Sequence, residues 1–136
     1  MTAHPLPITA LYVALAALIL MGLAGLVIRQ RARFKVVFGE GDANAAALKR
    51  AIRAHGNAVE FVPISLLVLL CCEMAGMAPW AVHAWGCTLI VARLAHASGL
   101  AASEGQSLGR GLGAGLQFTF LTGLPLWLLA RIAGLI

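Results

Sequence analysis

Residues 50–63 read RAIRAHGNAVEFVP, and they carry charged and amide side chains into a stretch that continues as a long apolar run. Wound as a helix at about 100° per residue, the stretch brings four polar side chains within roughly 80° of arc. They are Arg50, Arg53, Asn57 and Glu60. An ionisable residue inside a membrane span costs about 2.5 to 3.5 kcal/mol on insertion scales. Glu60 therefore needs a partner or a wet cavity.

The composition is that of a membrane protein. Of the 136 residues, 61% are hydrophobic and only 11% are charged, whereas soluble domains are about 45–50% apolar and about 25% charged. The length accommodates one domain, residues 1–136, and four spans of about 20 residues each use most of it. The sequence therefore predicts an all-α fold, an antiparallel bundle of four transmembrane helices, without a large soluble domain.

Apolar segments place these spans along the chain. Residues 5–28 contain no charge, and at ~1.5 Å per residue they extend about 36 Å, enough to cross a ~30 Å hydrocarbon core. The predicted spans are residues 5–28, 54–74, 79–99 and 111–131. Gly22 and Gly25 are expected to pack closely against a neighbouring helix.

The connections are predicted from polar and helix-breaking residues. Residues 29–42 place cations before a Gly, Glu, Gly, Asp cluster, which predicts a loop with Asp42 as the N-cap of the next helix. Glu73 is expected to be a solvated helix end. Residues 99–110, rich in Gly and Ser, are predicted to form the last loop.

The basic residues predict the orientation in the membrane. Seven of the ten Lys and Arg residues lie between Arg29 and Arg53, and cytoplasmic segments carry such an excess. Both termini are therefore expected on the periplasmic side. No Lys or Arg precedes Arg29, so the first apolar run lacks the order of a signal peptide and is expected to remain in the membrane. Because these cations lie beside predicted spans, the net charge of +5 does not indicate nucleic-acid binding.

Two interpretations remain open for the charges inside the spans. Glu60 and Arg93 could form a structural salt bridge or hydrogen-bond cluster that links the second and third spans. Alternatively, they could belong to a polar pocket for a small anionic or zwitterionic ligand, in which Arg side chains hold carboxylates and Glu60 holds an ammonium. Asn57 suits either interpretation, and His96 lies on the same helical face as Arg93.

Several other chemistries find no support in the sequence. The only Asp is Asp42, so no Ser, His, Asp triad can be proposed. Cys71, Cys72 and Cys87 form no CxxC pair, and the His residues lack ligand spacing, so no metal site is expected.

Gly-rich sequence precedes the fourth span. Residues 109–115, GRGLGAG, follow no predicted strand, which excludes a dinucleotide-binding loop. The pairs Gly109/Gly113 and Gly111/Gly115 indicate close helix packing instead.

Residues 53–63, RAHGNAVEFVP, resemble the signature of the MAPEG family, the membrane-associated proteins in eicosanoid and glutathione metabolism. Residues 91–99, VARLAHASG, are similar to the third-helix segment of that family, and the four-span layout with its basic loop is similar along the whole chain. The likeness is closest to small bacterial inner-membrane members. It implies a homotrimer of four-helix protomers, with glutathione as a co-substrate between neighbouring protomers near the cytoplasmic face.

The resemblance also implies roles for individual residues. Arg53, Asn57 and Glu60 would contact glutathione, and Arg110 would stabilise its thiolate as the Arg near the start of helix four. Phe61 stands where catalytic relatives often have Tyr. The complete predicted binding set is Arg29, Arg31, Arg50, Arg53, Asn57, Glu60, Phe61, Arg93 and His96, with Arg110 as the catalytic candidate. Where catalytic eukaryotic members carry Tyr along helix three, this chain has His96 and Leu100.

Three functions remain open at this point, and whether the chain is an enzyme is among the open questions. The leading hypothesis is a glutathione-dependent transferase or peroxidase for small lipophilic electrophiles that arrive through membrane lipid. The alternative is a non-catalytic scaffold of the same fold that binds lipid or glutathione, which the missing helix-three Tyr residues favour. A small transporter component has only the intramembrane charges in its support.

Overall fold

Four α-helices make up the fold in a computed structural model, which describes residues 6–102, 105 and 107–136. The helices are α1 (Thr9–Phe34), α2 (Ala46–Met74), α3 (Pro79–Ala102) and α4 (Leu108–Ile132). The predicted all-α fold is confirmed. Pro5, the predicted start of the first span, lies outside the described residues.

Three of these helices, α1, α2 and α4, are long and apolar enough to cross a membrane. Only 11% of the most apolar part of α1 is buried within the protomer, so most of this helix needs lipid or another chain around it. α3 contacts each of the other helices. It has 24 residues, and Arg93, His83 and His96 lower its average hydropathy.

The helices extend beyond the predicted spans. α1 continues to Phe34, so the loop predicted from Arg29 is wrong for residues 29–34. It ends where Lys35 adopts a left-handed backbone conformation, with φ of 55°, and no Gly or Pro stops it earlier. The last loop is also shorter than predicted, because α3 reaches Ala102 and α4 begins at Leu108.

The start of α2 does not use Asp42 as a helix cap. Asp42 Oδ1 instead accepts a hydrogen bond of 2.9 Å from the backbone N–H of Asn44, and α2 follows Ala45, which makes no side-chain cap bond. Asp42 therefore stabilises a turn in the connection. The N-cap prediction is wrong.

Glu73 joins the end of α2 to the beginning of α1. Its carboxylate accepts hydrogen bonds from the backbone N–H groups of Ile8 and Thr9, at 2.5 and 2.8 Å, and from the Thr9 hydroxyl at 2.6 Å. The first N–H groups of a helix have no partner within it, and Glu73 supplies that partner. The prediction of a solvated end is therefore wrong.

The core changes in character along the bundle. Near Glu73, large side chains such as Leu69, Phe120 and Leu124 fill it. We call the other end, where α1 and α3 finish and α2 and α4 begin, the basic end. There the buried residues of α2 include Ala51, Ala54 and Ala58. Ala51 and Ala54 line a space between α1 and α2 at this end.

Glycine lets α3 and α4 approach each other near the basic end. A Cβ added to Gly113 would lie 2.7 Å from the Ala92 carbonyl oxygen, and one added to Gly109 would lie 2.8 Å from the Ala95 carbonyl oxygen. The predicted packing role of the Gly109/Gly113 pair is confirmed. For Gly111, Gly115, Gly22 and Gly25, nothing described lies within 4 Å of an added Cβ. The close packing predicted for these four does not occur within the protomer.

Candidate functional site

A polar cavity of about 410 Å³ lies at the basic end, between α2, α3 and α4. α2 contributes side chains one and two turns apart, which is the spacing that keeps them on one helical face. The charged and polar residues around the cavity are Arg53, Asn57 and Glu60 of α2, His96 of α3, Arg110 of α4, and Glu40 of the first connection. The structure thus gathers five of the predicted site residues in one place.

The polar cavity carries charges of both signs. The guanidinium groups of Arg53 and Arg110 and the carboxylates of Glu60 and Glu40 surround it. Arg53 and Glu60 are exposed on the surface of the protomer. Fork-shaped guanidinium groups suit carboxylates, and a carboxylate suits an ammonium. The cavity can therefore hold a small zwitterion.

Arg110 lies in the first turn of α4 rather than in a loop. Ser107 caps this helix, with its Oγ accepting from the Arg110 backbone N–H at 3.4 Å, and Arg110 Nη1 donates to the Gly105 carbonyl oxygen at 2.6 Å. The start of α4 also packs closely against α3 at Gly99. A Cβ added to Gly99 would lie 2.4 Å from the Arg110 backbone nitrogen.

A second cavity, which we call the groove cavity, has a volume of about 340 Å³ and adjoins the polar cavity. Asn57 and His96 line both. Arg93 lines the groove cavity but not the polar cavity. It is buried, with 3% of its surface exposed.

Arg93 links α3 to α2 through Asn57. Its Nη1 donates a hydrogen bond of 2.9 Å to Asn57 Oδ1, and its guanidinium lies 5.8 Å from the centre of the Phe61 ring. Between these described helices the bond goes to the amide and not to Glu60. The predicted hydrogen-bond cluster between the second and third helices is present, whereas the salt-bridge version of it is wrong.

Sequence reasoning missed two polar residues beside the groove cavity. Gln117 of α4 is buried and donates from Nε2 to Ser65 Oγ at 2.9 Å. Ser65 donates in turn to the Phe61 carbonyl oxygen at 2.7 Å. The sequence signal that could have identified Gln117 is its polar amide within the uncharged, mostly apolar run of residues 111–130.

Three predicted basic residues lie apart from the polar cavity. Arg29 and Arg50 line a space of about 260 Å³ between α1 and α2, together with the buried Gln30. Arg50 also lines a space of about 370 Å³ that it shares with Arg53 and Arg110. Arg31 donates to the Val37 carbonyl oxygen at 3.3 Å, so within the protomer it stabilises the end of α1.

The only Tyr of the chain is remote from both cavities. Tyr12 lies at the opposite end, where its hydroxyl is 2.9 Å from His83 Nδ1 and donates to the His83 carbonyl oxygen at 3.0 Å. It is also 3.5 Å from Cys87 Sγ. Tyr12 therefore fastens α1 to α3 and contributes nothing to the candidate site.

Comparison with known proteins fits this arrangement. The profile of the MAPEG family matches residues 9–130. The chain belongs to the MAPEG family. The predicted resemblance is thus confirmed, and this MAPEG protein is a membrane protein with transmembrane helices.

Two relatives of this MAPEG protein are known by name. It is 43% identical over 89 residues to the inner membrane protein YecN of Escherichia coli strain K12, a match that covers 65% of this chain and 66% of the relative. YecN of Escherichia coli O6:H1 matches to the same extent. The alignment thus spans just under two thirds of these relatives. No solved structure matches significantly.

Metal binding finds no site in the described ranges. No three His, Cys, Asp or Glu side chains gather there in a group that could hold an ion. The cavities instead present guanidinium, amide, imidazole and carboxylate groups to a ligand.

Proposed function

We propose that this protein is an integral inner-membrane transferase or peroxidase that uses glutathione and acts on small lipophilic electrophiles. The polar cavity carries this proposal, because it combines two guanidinium groups, two carboxylates, an amide and an imidazole at one end of a membrane bundle. Membership of the MAPEG family and the inner-membrane relatives support the same function.

Glutathione matches the charges of the polar cavity. It carries two carboxylates, one ammonium group, two amides and one thiol. Arg53 and Arg110 would bind the carboxylates, Glu60 would bind the ammonium, and Asn57 would hold an amide. Glu60 is free to do so, since Arg93 is satisfied in part by Asn57.

Arg110 is the residue we assign to thiolate stabilisation. A thiolate, and not a thiol, is the nucleophile in conjugation, and a nearby cation lowers the pKa of a thiol. The first turn of α4 adds the partial positive charge of a helix N-terminus. In the transferase reaction the thiolate sulfur attacks the electrophilic carbon, a C–S bond forms, and the leaving group departs with its electron pair.

A homotrimer would complete the site. The outward-facing Gly22, Gly25, Gly111 and Gly115 leave flat helix surfaces, and small residues in this pattern are typical of contacts between membrane helices. Contact with neighbouring protomers would also cover part of α1. Arg29, Arg31 and Arg50 would then act on glutathione bound beside an adjacent protomer.

We place the basic end on the cytoplasmic side and both termini on the periplasmic side. The excess of Lys and Arg between Arg29 and Arg53 supports this orientation. Glutathione would then enter from the cytoplasm, and the electrophile would arrive through the lipid around the helices.

A non-catalytic scaffold that binds lipid or glutathione is the second candidate. The position of Tyr12 favours it, because the single Tyr hydroxyl lies with His83 and Cys87 at the opposite end. Activation of the thiol in the polar cavity would then depend on Arg side chains, without a Tyr hydroxyl.

Glutathione titration by calorimetry tests the proposal. Wild type is compared with Arg53→Ala and Glu60→Ala, and with Arg33→Ala as a control that removes a cation from the same end of the bundle. Arg33 is exposed and stacks on Phe34 outside both cavities. We expect each cavity variant to weaken binding about tenfold or more, by loss of a charge-assisted hydrogen bond. Arg33→Ala should bind as wild type.

Conjugation of a generic aryl electrophile separates the two candidates. The enzyme should form the glutathione conjugate and show thiolate absorbance when glutathione binds. Glutathione binding without either signal would support the scaffold, and unchanged affinity in both cavity variants would remove the site assignment.

A further inference from the structure

The connection between α1 and α2 exposes two adjacent apolar side chains at the basic end, which we call the apolar pair. Val37 is 95% exposed and Phe38 is 94% exposed. Single apolar residues on a surface are ordinary, but two large neighbours form a contiguous apolar surface. Removing such a surface from water is favourable. The apolar pair is therefore suited to contact lipid or another chain.

The connection is folded against the helices, which explains why these two side chains point outward. The backbone N–H of Val36 donates to the Arg31 carbonyl oxygen at 3.0 Å, and Arg31 Nη1 donates to the Val37 carbonyl oxygen at 3.3 Å. Val36 also packs close to Gly41, where an added Cβ would lie 3.2 Å from Val36 Cγ2. Val36 is therefore partly buried, whereas the two residues after it are exposed.

The same hydrogen bonds hold the apolar pair near the end of the first membrane span. The apolar run of α1 ends at Ile28, whose side chain is 68% exposed on the protomer. Arg31 lies three residues later, which is about 4.5 Å further along a helix. The head-group region of a bilayer extends about 5 to 8 Å beyond the hydrocarbon core on each side. Residues 36–38, which are bonded to Arg31, therefore lie at the level of the lipid head groups.

Cations precede the apolar pair along the chain. Residues 29–38 contain three Arg, one Lys and no Asp or Glu. Arg33 and Lys35, the last two of these cations, are exposed. Four or more Lys and Arg residues directly after a transmembrane helix are typical of segments that bind anionic lipid. The segment thus combines positive charge with apolar side chains, as phospholipid combines a phosphate with acyl chains.

A second copy of the chain is the other partner that the apolar pair could contact. Copies inserted in the same orientation present their basic ends at one membrane surface, so this segment would approach cations of the same kind. Like charges repel, whereas anionic head groups attract Lys and Arg. Charge complementarity therefore favours lipid.

We propose that residues 33–38 form a binding site for anionic phospholipid at the membrane surface of the basic end. Arg33 and Lys35 bind the phosphate head group, and the apolar pair inserts among the lipid chains beside it. The polar cavity is lined by other residues, so the site does not rest on the proposed function.

Thermal unfolding of the full chain in neutral detergent micelles, without glutathione, tests the site. The probes are dioleoyl phosphatidylglycerol, dioleoyl phosphatidylcholine, and glycerol 3-phosphate as a soluble phosphate without chains. We expect phosphatidylglycerol to raise the unfolding midpoint with saturation, at concentrations about tenfold or more below those of phosphatidylcholine, because its charge favours binding to the folded state. Glycerol 3-phosphate should leave the midpoint unchanged at the same concentrations, because it has no chains for the apolar pair.

Two kinds of variant separate the charges from the apolar pair. Arg33→Gln and Lys35→Asn should each lower the apparent affinity for phosphatidylglycerol about fivefold and leave that for phosphatidylcholine unchanged. Asn suits position 35 because it tolerates the left-handed conformation of Lys35, with φ of 55°. Phe38→Ser should lower the affinity for both lipids about tenfold, by loss of apolar contact.

Lys49→Gln is the matched control for loss of one cation at the basic end. Lys49 lines a space that it shares with Arg53 and Arg110, apart from residues 33–38. This variant should bind both lipids as wild type. Arg33→Gln and Lys35→Asn should in turn bind glutathione as wild type, which separates the lipid site from the polar cavity.

Several results would overturn the site. Equal stabilisation of wild type by the two lipids, stabilisation by glycerol 3-phosphate as strong as by phosphatidylglycerol, or equal effects of Lys49→Gln and Arg33→Gln would each do so. Dissociation of an oligomer in Phe38→Ser with lipid affinity unchanged would assign the apolar pair to a second copy instead. Glutathione affinity without a lipid preference would overturn this inference alone. A lipid preference without glutathione affinity would overturn the proposed function alone.

Discussion

Arg93 of α3 donates a hydrogen bond of 2.9 Å to Asn57 of α2, although Glu60 lies only one turn further along α2. The buried guanidinium is thus paired with a neutral amide. The carboxylate of Glu60 faces the polar cavity instead. The hydrogen bond between Arg93 and Asn57 therefore links the two helices, while Glu60 stays available to bind a ligand.

The link predicts that Asn57→Ala destabilises the bundle even without a ligand. Hydrogen bonds to charged groups contribute about 1.5 to 3 kcal/mol, and the variant leaves the Arg93 guanidinium without this bond. We expect a loss of that size in denaturant unfolding in mixed micelles. Asn44→Ala is the control, since Asn44 is exposed and its bond to Asp42 uses the backbone N–H. Similar small losses in the two variants would show that the link contributes little.

Glycine positions on α4 predict opposite effects of the same substitution. In Gly113→Ala the new Cβ would lie 2.7 Å from backbone atoms of α3, and overpacking of this kind costs about 1 to 3 kcal/mol. In Gly115→Ala nothing described lies within 4 Å, and the higher helix propensity of Ala should be neutral or stabilise by up to about 1 kcal/mol. Unfolding of both variants under identical conditions measures the difference. Equal destabilisation of the two would instead indicate that Gly115 contacts another protomer.

Much of the fold was predictable because the membrane imposes it. Long apolar runs must form helices in lipid, where every backbone polar group needs a partner within the segment, and this rule accounts for α1, α2 and α4. Helical periodicity likewise predicted that Arg53, Asn57 and Glu60 share a face. Both arguments are local to one segment.

Contacts between segments could not be predicted in the same way. The rotation of each helix about its axis decides whether Gln117 meets Ser65 and whether Glu73 meets Thr9. Packing against several neighbouring helices sets that rotation. The periodicity of a single helix does not predict it. Of the alternatives left open for Arg93, the hydrogen bond to Asn57 forms and the salt bridge to Glu60 does not, and periodicity alone could not decide between them.

Glu73 should be required for the stability of the start of α1. Glu73→Ala removes three hydrogen bonds from Ile8 and Thr9, and loss of a helix cap costs about 0.5 to 2 kcal/mol. Faster hydrogen exchange at the first amides of α1 should accompany the loss. Glu40→Ala, which changes an exposed carboxylate in the connection before α2, should leave these amides unchanged. Unaltered exchange in Glu73→Ala would contradict the capping role.

Tyr12→Phe should separate stability from activity. The variant removes the hydroxyl that contacts His83 and Cys87, and we expect a loss of about 1 kcal/mol in unfolding free energy. Conjugation of glutathione should continue at the wild-type rate, since Tyr12 is remote from the polar cavity. A large loss of turnover in a folded Tyr12→Phe protein would show that the ring acts in catalysis.

Arg110 provides the sharpest test of the sulfur chemistry. A nearby cation favours the thiolate, so removing the cation in Arg110→Ala should raise the pKa of the bound thiol. The rise of conjugation rate with pH should then move to higher pH, by about one to three units, and activity should partly return in alkaline buffer. Arg110→Lys retains a charge and should shift less, although it lacks the fork geometry of guanidinium. Arg33→Ala supplies the control for general loss of positive charge at the basic end, and its pH profile should match wild type. A fall in rate at every pH without a shift would assign Arg110 to binding or structure, and the activating cation would then have to come from Arg29 or Arg31 of a neighbouring protomer.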